Sequence, residues 1–293
     1  MCELIKMVQS AGNRLVNTIV RQAEKAGYFC TAGNIPVNLE VHELRKSFKR
    51  LRALLRFYIE IPDHPAGRMM EEMRNYGRLL APLRESSVNV ELFDREIAGN
   101  KLLPERKIKI TRELLIQKNK LLVEKEFFQN NLSGNIFEYL GNIKSALAAQ
   151  PDTPSKTQLY REISQSYLKS ITIYRQLGAN PHPEELHNLR KKMKRLFYQL
   201  DFIRFIHPRY FKLKTDQLNK INDQLGNDHD LHVFLMEFKS GACEFNSEEL
   251  YIIDNQVEHL RELNQLKLYP RLKQFFTAVP AEFDQKLERF FKL

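Results

Sequence analysis

Two decapeptides, 145 residues apart, constrain this 293-residue chain more than anything else in it. The first reads His42-Glu43-Leu44-Arg45-Lys46-Ser47-Phe48-Lys49-Arg50-Leu51 and the second His187-Asn188-Leu189-Arg190-Lys191-Lys192-Met193-Lys194-Arg195-Leu196. Seven of the ten positions are identical. The register also survives downstream: Leu80, Arg84, Glu85 and Val88 fall opposite Leu225, His229, Asp230 and Val233 at the same offset. A chance match would not keep step across the intervening sequence. Duplication of a helical unit is the expected cause.

The pattern within each copy is helical. At roughly 100° per residue, Leu44, Phe48, Leu51, Leu55 and Tyr58 share one face of the first copy. His42, Arg45, Lys46, Lys49, Arg52 and Arg56 share the opposite face, with Arg50 at its edge. In the second copy Leu189, Met193, Leu196, Leu200 and Ile203 back a face carrying His187, Arg190, Lys191 and Lys194, with Arg195 beside it. Each copy is thus an amphipathic helix with a cationic rail, the first ~21 Å long at 1.5 Å per residue. The second rail is shorter, because Phe197 stands where Arg52 stood and Asp201 where Arg56 stood.

Charge is concentrated in these rails. Residues 42–56 carry six Lys/Arg against one Glu, and residues 187–201 carry five against one Asp. Those stretches account for nearly all of the formal +10. Like charges three and four residues apart weaken a helix by a few tenths of a kcal/mol per pair, a cost that a bound polyanion would offset.

The rest of the chain reads as further helices. Eleven Gly and twelve Pro in 293 residues are few, and no segment alternates with period two. Helices are expected over 6–29 (with Ile5, Val8, Leu15, Ile19 and Ala23 apolar), 39–60, 66–96 with a break near Pro82, from Pro104 toward Asn130, and 136–149. A turn-rich linker, Gln150 to Ser155, follows. Further helices are expected over 156–177, 184–206, 209–238 with a break near Gly226, and 247–276. The expected fold is all-α: two four-helix bundles related by a pseudo-twofold axis, residues 1–150 and 151–293, together one domain.

His-x-x-Arg-Lys-x-x-Lys-Arg-Leu opening an amphipathic helix, twice in one chain, resembles the CHAD family of histidine-bearing α-helical domains. Leu80 to Val88 resembles the family's Leu-x-x-x-Arg-Asp-x-x-Val segment, and Leu225 to Val233 its second occurrence. Tyr198 and Asp201 suit the family's continuation of the second rail. Phe197 departs from a usual Arg, His229 from the Arg expected before Asp230, and Glu85 from Asp. The resemblance spans roughly residues 5–280. It implies basic helices facing a shared central channel and binding of inorganic polyphosphate, often at polyphosphate granules. The binding residues it implies are His42, Arg45, Lys46, Lys49, Arg50, Arg52, Arg56, Arg84, His187, Arg190, Lys191, Lys194 and Arg195. The Glu-x-Glu-x-Lys start of the triphosphate-tunnel domain is not seen, which suits a free-standing form.

These residue types fit a flexible anion with no bases to read. Arg offers bidentate contacts to phosphate oxygens and Lys a mobile point charge. The first rail has no aromatic residue on its exposed arc, unlike single-stranded nucleic-acid binders, whereas Phe197 and Tyr198 flank the second. A nucleic-acid-binding helical protein is therefore the alternative. A metal-dependent phosphohydrolase built on Asp228-His229-Asp230-x-His232 is a further one, set against N-capping by Asp228 and Asp230 after Gly226. No Walker loop, His-Glu-x-x-His or Gly-x-Ser-x-Gly is present, so neither cofactor nor catalysis is expected. Cys2, Cys30 and Cys243 form no metal or disulfide pattern. With no signal peptide or membrane span, the expected location is cytoplasmic.

Overall fold

The computed structural model describes residues 2–149, 152–241 and 243–292, with side chains from residue 11 on. Ile5 and Val8 thus lie outside the described side chains, and Gln150 and Pro151 of the linker outside the described residues. Among the described residues the chain forms ten α-helices and no strand. They are α1 (Cys2–Thr31), α2 (Val37–Leu55), α3 (Ala66–Leu92), α4 (Glu105–Leu122), α5 (Leu132–Ala148), α6 (Lys156–Gln176), α7 (Pro183–Phe202), α8 (Pro208–Lys239), α9 (Ser247–Phe275) and α10 (Pro280–Phe291).

The packing of α1–α5 recurs in α6–α10. In the first set α1 packs on α2 and α5, α2 on α3, and α3 on α4. In the second, α6 packs on α7 and α10, α7 on α8, and α8 on α9. The sets meet mainly where α2 packs against α7 and α3 against α8, and the turn Arg56–Tyr58 after α2 also packs on α6. Each set therefore has five helices, not four. The helix near 136–149 is α5, which closes over α1 as α10 closes over α6. On that closure Tyr167 of α6 stacks on Phe283 of α10, with ring centroids 3.9 Å apart.

The apolar faces read from the sequence are the buried ones. Leu44, Leu51, Leu55, Leu189, Met193, Leu196, Leu200 and Ile203 are fully buried. They belong to a core drawn from both sides of residue 150. A second core, with Phe93, Ile97, Phe234, Phe238, Ile253 and Val257, fills the far end between α3, α4, α8 and α9.

Three local expectations need correction. Helix α3 runs through Pro82 unbroken. Pro82 and Arg78 are both exposed, so water can take the Arg78 carbonyl that the proline nitrogen cannot bond. Helix α8 runs through Gly226; one glycine costs about 1 kcal/mol, less than the flanking burial of Leu225 and Leu231 supplies. Asp228 is therefore no N-cap. It sits in mid-helix, 1% exposed, accepting hydrogen bonds from Arg261 (3.4 Å) and Gln265 (2.8 Å) of α9. The real caps lie elsewhere: Ser155 with Gln158 restarts the chain at α6, and Asn246 with Glu249 opens α9.

Candidate functional site

Where α2 meets α7 and α3 meets α8, the four helices enclose a cleft of about 610 Å³. Both rails reach it because each basic helix buries its Leu-rich face outward from the cleft, into the main core. Helix α2 supplies His42, Arg45, Lys46, Lys49 and Arg50, α3 supplies Arg84 and Glu85, α7 supplies Arg190 and Lys194, and α8 supplies His229 and Asp230. Of the residues expected to bind, eight thus share one wall. His187 stands behind it, its ring 4.2 Å from that of His229. Lys191 is exposed and reaches Asn188 at 3.4 Å. Arg52, Arg56 and Arg195 do not line the cleft.

Cations outnumber anions there. Arg45, Lys46, Lys49, Arg50, Arg84, Arg190 and Lys194 face Glu85, Asp201, Asp223 and Asp230. Asp201 is already engaged with Arg50 at 3.0 Å. Arg45 donates to the Gly77 carbonyl at 2.7 Å. Lys49 has no hydrogen-bond or ion-pair partner among the described residues. Burial first, and then the Arg190, Arg45 and Lys194 charges, pull its ammonium down from 10.5 to about 7. Lys194 is lowered by burial and Arg190. Burial raises the Asp230 carboxyl against the pull of Arg190, Arg84, Lys49 and Arg45. Glu85 rises for the same first cause, with Arg45 opposing.

The histidines do not add charge near neutrality. Burial and then Lys191 and Arg190 hold His187 at about 4, and burial and then Arg190 hold His229 at about 3. His42 is lowered by burial and then by Arg84. The group that titrates near pH 7 is Lys49.

Arg56 donates through Nε to Glu162 of α6 at 2.6 Å, and Gln199 donates to the same carboxylate at 3.0 Å. Glu162 was missed in the sequence, although a signal existed. It sits on the buried stripe of α6 with Leu159, Ile163, Ser166, Tyr167 and Ser170, and a carboxylate on such a stripe needs a partner. Asn89 and Asn222, also on the wall, carried no comparable sign.

The Asp228–His232 segment does not converge on one point. Asp228 and His232 lie on the α9 side near Arg261 and Glu258, while His229 and Asp230 face the cleft. Among the described residues no group of three or more His, Cys, Asp or Glu is placed to hold a metal ion. No described helix is long and apolar enough to cross a membrane.

Fold and site together define an all-helical protein with a cation-rich cleft between two pairs of helices. The chain belongs to the CHAD domain family, whose sequence model matches residues 37–238. Its structure is similar to that of PptA from Streptomyces chartreusis, with a TM-score of 0.66 at 13% identity over 89% of this chain and 99% of that one. It is also similar to the CHAD domain from the plant Ricinus communis, with a TM-score of 0.54 at 14% identity over 97% and 91%. No curated protein sequence matches the chain.

Proposed function

We propose that this protein binds inorganic polyphosphate in the cleft between α2, α3, α7 and α8, without turning it over. The observation that carries the reading is the convergence of Arg45, Lys49, Arg84, Arg190 and Lys194 on one cavity, where burial and then the neighbouring cations push Lys49 toward neutrality. A site of this kind gains most from a ligand that brings many negative charges along a path. Family membership supports the same ligand class. The cleft is then the central channel, the two halves (1–150 and 151–293) are products of duplication, and association with polyphosphate granules follows from the ligand. Binding without catalysis is favoured by the divergence of Asp228 and His232 from His229 and Asp230.

One observation favours a second reading. Phe197 lines the cleft beside Lys194, whose Nζ lies 5.7 Å from the ring centre, and an aromatic ring among cations suits single-stranded nucleic acid. Competition separates the two. Long-chain polyphosphate should displace bound RNA or duplex DNA at equal phosphate concentration; retention of the nucleic acid would reject the first reading. Lys49→Glu should abolish polyphosphate binding with helicity intact. Phosphate release from polyphosphate in Mg²⁺ or Mn²⁺ would show turnover.

A further inference from the structure

The two rails are equivalent in register, but the two ends of the cleft are opposite in charge. Arg52, Arg56, Arg74 and Arg78 correspond, at the 145-residue offset, to Phe197, Asp201, Asn219 and Asp223. The second set lines the cleft's α7–α8 arm. The repeated packing puts the first set at the opposite, α2–α3 arm.

The contacts show what that difference does. On the α7–α8 arm Arg50 meets Asp201 at 3.0 Å, and Arg204 reaches the same carboxylate at 3.6 Å. The matching positions on the other arm are Arg195 and Arg56, two guanidiniums. Burial and then Arg56 lower Arg195 to about 10, with Arg52 adding to the effect. Arg52 is lowered by burial and then by Arg74, with Arg78 also contributing. Glu162 and Glu71, which bind Arg56 and Arg74, are the carboxylates facing this cluster. Arg45 joins the cluster to the cleft, because the Gly77 carbonyl it holds belongs to the residue before Arg78.

We propose that the anionic chain lies one-sided in the cleft, its phosphates running from Lys49 and Arg45 out over Arg78, Arg74 and Arg52, and that the α7–α8 arm beyond Arg190 and Lys194 contributes no phosphate contacts. This rests on the polyphosphate reading of the cleft. A phosphate passing the α2–α3 arm meets guanidiniums held close by the fold. One passing the other arm, beyond Lys194, meets Asp223, a neutral Asn219, the Phe197 ring and an Arg50 already paired. The arm lined by Asp201 and Asp223 therefore sets where the bound stretch ends.

Mirror-image substitutions test this with long-chain polyphosphate at two salt concentrations. Arg74, Arg78 and Asn219 are all exposed, and melting curves confirm that each variant is folded. Arg74→Glu with Arg78→Glu should weaken binding roughly tenfold or more and flatten the log–log salt slope by about 1.5, the counterion release of two contacts. Asn219→Glu, which gives α8 two acidic residues at 219 and 223 where that variant's α3 has them at 74 and 78, should cost at most a few-fold and leave the slope unchanged. Equal losses in both variants, or no loss in the arginine variant, would overturn the one-sided track. Lys49→Glu keeps the two ideas apart: if it abolishes binding while the arm variants behave alike, the cleft reading stands and the track falls. If wild-type protein binds no polyphosphate, both fall.

Discussion

Lys49 shows how much a single residue can be forced to carry. Its ammonium is pressed from 10.5 to about 7 by burial and by Arg190, Arg45 and Lys194. The empty fold therefore favours the neutral amine. The cost of charging it is fully present below pH 7 and shrinks as pH rises from 7 toward 10.5. Lys49→Met is expected to raise the melting temperature of the empty protein near pH 6, with the gain fading by pH 10.5. A polyanion reverses the preference, so binding takes up a proton. Affinity for long polyphosphate, whose internal phosphates do not titrate in this range, should be about tenfold higher at pH 6 than at pH 8. Titration calorimetry in two buffers of different ionisation enthalpy measures the proton uptake directly, and a pH-independent affinity would remove Lys49 from the site. Nothing in the sequence marked Lys49 above its neighbours. Its helix position was legible, but its pKa depends on Arg190 and Lys194, which only the folded chain brings near.

At the scale of elements, α6 holds the two basic helices together through Glu162. Its carboxylate takes Arg56, which caps the end of α2, and Gln199 of α7, and Ser166 donates to it from one turn away. Glu162→Ala would leave Arg56 and Arg195 facing each other with no counter-charge in a half-buried setting. Loss of a partner from such a pair costs about 3 kcal/mol, and urea denaturation should show it as a lower midpoint at unchanged slope. Glu162→Gln, which keeps one acceptor oxygen but loses the charge and the acceptor for Arg56 Nη2, should fall between. Elements were the most legible level of this chain. The rails, their buried backs and most helix ends followed from period and caps. The misses share one cause: Pro82 and Gly226 are locally disruptive, yet tertiary packing and an exposed proline face let both helices continue. Helix α10, with its Pro280 start, had no expectation at all. Its reason for existing is the apolar face of α6 around Tyr167, which is invisible until α5 is seen covering α1.

Across the whole molecule, charge and fold oppose each other. Two cores shared by both halves hold α2 against α7 and α3 against α8, and this forces the cations of both rails into one cleft. Salt should therefore act in opposite directions on the empty and the bound protein. In the empty protein it screens repulsion among Arg45, Lys49, Arg190 and Lys194, so the melting temperature should rise between low and moderate salt. In the bound protein the same salt competes with the ligand. At low salt, polyphosphate at a hundredfold its Kd should add about 2.7 kcal/mol, which for a chain of this size is a rise of roughly 4 °C. That increment should shrink as salt is added, even while the empty protein becomes more stable. Thermal melts over a grid of salt and polyphosphate concentrations measure both trends at once. Lys49→Met should blunt both, since it removes one of the crowded charges. A ligand increment indifferent to salt would mean that the cleft's charge is not what holds the chain.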